Sequence, residues 1–81
     1  MFEKDIQIIE NITLPDETRR DIMDCIAAKI KYLQDETEDN LIDVKYSFDL
    51  AFTDIKCLQA SHLLSPTNFS IIEHIIRKID E

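Results

Sequence analysis

The stretch Asn40–Leu63, NLIDVKYSFDLAFTDIKCLQASHL, decides the fold, because it carries two periodicities at once. Val44, Tyr46, Phe48, Leu50 and Phe52 alternate with Lys45, Ser47, Asp49 and Ala51, the pattern of a half-buried strand. Leu41, Val44, Phe48, Ala51, Ile55 and Leu58 recur at spacings of three and four, the pattern of a helix seam. The helical spacing continues past residue 52, where the alternation stops. Ile6, Ile8, Ile12 and Leu14 offer a second short alternation, but two strands make a poor sheet. The stretch therefore reads as a helix, and the chain as an all-α protein, a small bundle of three to four helices. The alternative is an α/β chain with a strand at about 42–53.

Working outward, the punctuation supports helices on both sides. Pro15 is followed by Asp16 and Glu17, which suit the positive end of a helix dipole. Ser65-Pro66 reads as an N-cap and a first helical residue. The polar run Asp35–Asn40 has no period and reads as a loop. These marks leave helical segments of roughly 3–11, 15–35, 40–63 and 66–80. In the second, Ile22, Met23, Ile26, Ile30 and Leu33 share a face. In the last, Phe69, Ile72, Ile76 and Ile79 form a stripe widened by Ile71 and Ile75. Phe2, Ile6 and Ile9 form a short face near the N-terminus. The whole chain, 1–81, reads as a single helical domain.

Composition excludes several chemistries. The 81 residues include no glycine, so phosphate-binding loops, dinucleotide fingerprints, nucleophile elbows and calcium-binding hands are absent. Helix breaks are left to Pro15, Pro66 and the acidic loop. Seventeen acidic against nine basic side chains give a formal charge of -8. That balance disfavours direct nucleic-acid binding and anionic membranes, and it suits a basic protein partner. No signal peptide or membrane span is legible, so a cytoplasmic location is expected. Cys25 and Cys57 read as reduced, small residues of a core or an interface.

Catalytic and metal signals are thin. His62 and His74 have no ligand at metal spacing, and His74 falls on the polar side of its helix near Lys78. Cys57 and His62 have no third group to orient them. Glu38, Asp39 and Asp43 lack a glycine-turned loop. No cofactor, no metal and no catalytic residue is expected.

The informative feature is a second apolar arc on the central helix. One arc holds Leu41, Val44, Phe48, Ala51, Phe52, Ile55 and Leu58; the other holds Ile42, Tyr46, Leu50 and Cys57. A peripheral bundle helix needs only one. The second arc must be covered either by the short N-terminal helix or by another molecule. Beside it lie Asp35, Glu36, Glu38, Asp39 and Asp43, an acidic group able to steer a basic partner. The expected partner-binding residues are therefore Asp35, Glu36, Glu38, Asp39, Asp43, Ile42, Tyr46 and Leu50. The chain is expected to be a non-enzymatic protein-binding module that occludes a basic partner. In size and charge it is similar to small acidic helical inhibitors such as immunity proteins, antitoxins and phage-encoded host modulators. The other expectation is a homodimeric structural or regulatory module, paired through Ile42, Tyr46, Leu50 and Cys57, with a merely solvating acidic surface.

Overall fold

Helix is the outcome throughout. The structure, a computed structural model, describes residues 1–80 and contains no strand among them. Four helices follow one another: α1 (Glu3–Asn11), α2 (Asp16–Gln34), α3 (Glu38–Ala60) and α4 (Pro66–Asp80). The strand alternative at 42–53 is overturned, since those residues lie in the middle of α3. The physical reason is the inward seam: Val44, Ala51 and Ile55 lie in one line and are buried together.

Short connections make neighbouring helices antiparallel. α2 packs on α3, α3 on α4, and α1 on α2, with a further α2–α4 contact. At about 1.5 Å per residue, α3 is close to 35 Å long. The molecule measures 38 Å along its longest axis, so α3 runs nearly its full length. The core is rich in isoleucine: Ile9, Ile22, Ile55, Ile72, Ile76 and Ile79 have no exposed surface.

The helix ends have local causes. The Ser65 hydroxyl accepts the Asn68 N–H at 3.1 Å, capping α4 beside Pro66. Arg19, in the first turn of α2, donates to the carbonyls of Ile9 (2.7 Å), Glu10 (3.1 Å) and Leu14 (3.3 Å). A cation thus satisfies the open carbonyls at the end of α1. Lys78 of α4 donates to both carboxylate oxygens of buried Asp5 at 3.0 Å, tying α1 to α4. Those two contacts hold a nine-residue helix that would be marginal alone.

Three expectations need correction. The acidic loop is shorter than read: only residues 35–37 lie between helices. The Thr37 hydroxyl accepts the Asn40 N–H at 3.2 Å and starts α3 at Glu38. Asn40 turns inward and donates to the Asp35 carbonyl at 2.8 Å. Leu33, expected on the buried face of α2, is 37% exposed, because it lies in the last turn of that helix.

α3, third, ends on neither a proline nor the acidic turn. His62 holds φ at 60°, the left-handed conformation that glycine usually supplies. The Leu63 N–H reaches back to the Leu58 carbonyl at 2.9 Å, and the His62 N–H to that of Gln59 at 3.0 Å. That is a Schellman ending built on a histidine. The prolines and the acidic turn therefore do not account for every break.

Candidate protein-docking face

The inner and outer sides of α3 separate cleanly. Leu41, Phe48, Phe52 and Leu58 are half-buried beside the fully buried seam. The second arc points outward: Ile42 is 55% exposed, Tyr46 70% and Leu50 42%, and Cys57 is also exposed. The short N-terminal helix does not cover this arc. α1 is drawn instead onto α2 by Arg19 and onto α4 by Lys78.

Asp35, Glu36, Glu38, Asp39 and Asp43 are all exposed at the α2–α3 turn and on the first turns of α3. Glu38 and Asp39 sit at the positive end of the α3 dipole, which stabilises their charge there. The acidic group and the apolar arc therefore lie on one helix, acids toward its N-terminus.

One acidic feature escaped the sequence. Asp54, on the rim between the two faces of α3, meets Asp21 of α2, with Glu17 nearby. Partial burial, a hydrogen bond to Asp21 and the charges of Asp21 and Glu17 push Asp54 up to about 6. Two aspartates 33 positions apart gave no local signal; only the α2–α3 packing joins them.

On the opposite rim, the Lys56 ammonium and the Arg77 guanidinium lie over the Phe52 ring at 4.9 and 5.1 Å. Arg77 also pairs with Glu73 at 3.3 Å. Cys25 is buried, and that burial pushes its thiol up, partly offset by a hydrogen bond with Ser47. A thiol so held is a core group and a poor nucleophile.

Elsewhere, Ile8, Ile12 and Ile71 line an open groove of about 520 Å³ between α1 and α4. His74 is exposed and borders its continuation with Asp5. Among the described residues no group of three or more His, Cys, Asp or Glu side chains is arranged to hold a metal ion. No helix is long and apolar enough to cross a membrane.

The fold is thus a small all-α bundle with one helix more apolar than its burial requires. No protein-family model, no curated protein and no solved structure matches the chain.

Proposed function

We propose that this protein is a non-enzymatic docking module, a small acidic inhibitor or modulator that occludes a basic protein partner. The observation that carries the reading is the uncovered arc of Ile42, Tyr46 and Leu50 on the same helix as an acidic N-terminal end. Long-range attraction from Asp35, Glu36, Glu38, Asp39 and Asp43 would speed encounter with a cationic surface. Burial of Tyr46 and Leu50 would then hold the complex, because an aromatic anchor can lose its apolar area to the partner while its hydroxyl stays wet.

Immobilised wild-type protein and a Glu36→Lys/Asp39→Lys variant, offered the same total cell protein, test the steering step. Wild type should retain a basic protein at low salt and release it as salt rises, and the variant should retain much less. Equal retention by both, or retention indifferent to salt, would remove the basic-partner reading.

A further inference from the structure

The outer face of α3 carries a charge pattern that is complementary to itself. On a wheel of 100° per residue, Glu38, Lys45, Asp49 and Lys56 fall within about 40° of one another, along one edge of the Ile42–Tyr46–Leu50 arc. All four are exposed. Their signs alternate along the helix: negative, positive, negative, positive. Their positions are symmetric about Ser47. Glu38 and Lys56 each lie nine residues from it, and Lys45 and Asp49 each lie two. Among the described residues none of the four makes an ion pair within the chain.

We propose that this face docks a second copy of the same chain, α3 against α3, antiparallel, with the two-fold axis beside Ser47. In an antiparallel pair related by a two-fold axis, a given edge of one helix meets the same edge of the other, reversed. That register sets Glu38 against Lys56 of the other copy and Lys45 against Asp49, and each pair occurs twice. No other two-fold register matches all four. Tyr46 of each copy then sits between Tyr46 and Leu50 of the other, across the axis.

The orientation also separates the acids. At 1.5 Å per residue, the two Asp39 side chains come to lie about 24 Å apart along the axis, roughly three Debye lengths at physiological salt. A parallel pair would place them side by side. The other edge carries Asp43 and Asp54 and no cation, so the helices close on the Lys45 side. The inference shares the α3 face with the docking reading but does not need a basic partner. The dimer shields Tyr46 and Leu50, so it competes with a basic partner for that face, and it leaves Asp35 and Glu36 open at its two ends.

Sedimentation equilibrium on the full chain tests it. Wild type should show a concentration-dependent dimer. Lys45→Glu or Asp49→Lys alone should weaken it by about tenfold or more, since each puts like charges together twice. The double variant Lys45→Glu/Asp49→Lys should return to within about threefold of wild type, because it restores both pairs with reversed sign. Cys57 reports orientation. The two Cys57 residues lie about 30 Å apart in the antiparallel register, so mild oxidation should give no rapid disulfide dimer. A monomer up to about 1 mM would overturn the proposal. So would a dimer indifferent to both single variants, a double variant that stays monomeric while folded, or a rapid Cys57 cross-link. None of these changes touches Glu36 or Asp39, so the basic-partner reading stands or falls by its own experiment.

Discussion

Ile55 and Leu50 are five positions apart on α3, nearly equal in apolar size, and opposite in fate. Ile55 has no exposed surface, while Leu50 is 42% exposed. The difference is one of phase. α3 offers its inward seam to α2 and α4, and whatever lies opposite has only solvent or another molecule to meet. A fourth helix of full length could have covered the outer arc. α1 has nine residues and is held elsewhere, at Arg19 and Lys78. Apolar character alone therefore does not say which residues make the core; their angular position on a helix with two arcs does.

The comparison breaks hardest at Ile55. Ile55→Ala should cost about 2–5 kcal/mol in urea unfolding, through lost burial and the cavity left behind. A loss below about 1 kcal/mol would mean that the inner seam is not the core of the bundle.

The rim between the two faces gives the next largest effect, of opposite sign. Asp54 has its folded value raised to about 6, above its ordinary carboxylate value, so the folded state holds a proton more tightly than the unfolded chain. That stabilisation is complete below about pH 4 and is lost as pH rises through about 6. At pH 7 the folded chain keeps a crowded, partly buried carboxylate. Asp54→Asn should therefore raise stability at pH 7 by about 1 kcal/mol, allowing for solvent screening at a half-exposed site. The gain should shrink as pH falls and vanish below about pH 4. A gain that persists unchanged in acid would point to packing and away from the Asp21 contact.

These two residues mark what the sequence could and could not tell. The seam through Val44, Ala51 and Ile55 is local, so its period announced both helix and core. The outer arc of Ile42, Tyr46 and Leu50 was equally legible, but whether α1 would cover it was not. That outcome depends on Asp5 meeting Lys78, 73 positions away, and on Arg19 reaching the end of α1. The Asp21–Asp54 contact is hidden for the same reason, since it exists only once α2 and α3 pack. His62 is a different kind of miss. Without glycine in the chain, nothing local marks which residue takes a left-handed turn.

The end of α3 sharpens that last point. His62→Gly should stabilise the protein by about 0.5–1 kcal/mol in thermal or urea unfolding. Glycine removes the side-chain clash at φ 60° while the Leu63 and His62 backbone bonds to Leu58 and Gln59 remain. The unfolded chain becomes more flexible, which keeps the gain small. A loss of stability would show that the imidazole itself contributes at this turn.

The smallest effect on stability belongs to the outer face, and it completes the contrast with Ile55. Tyr46 is 70% exposed, so Tyr46→Asp should change unfolding free energy by less than about 0.5 kcal/mol and leave the helical circular dichroism unchanged. The same substitution should abolish self-association measured by sedimentation, because it places a desolvated carboxylate at the centre of the paired faces. One helix would then carry two apolar residues whose loss is read by different instruments: Ile55 in the stability of the monomer, Tyr46 in the association of folded chains. If Tyr46→Asp unfolds the protein instead, the outer arc is part of the core, and the separation of the two faces fails.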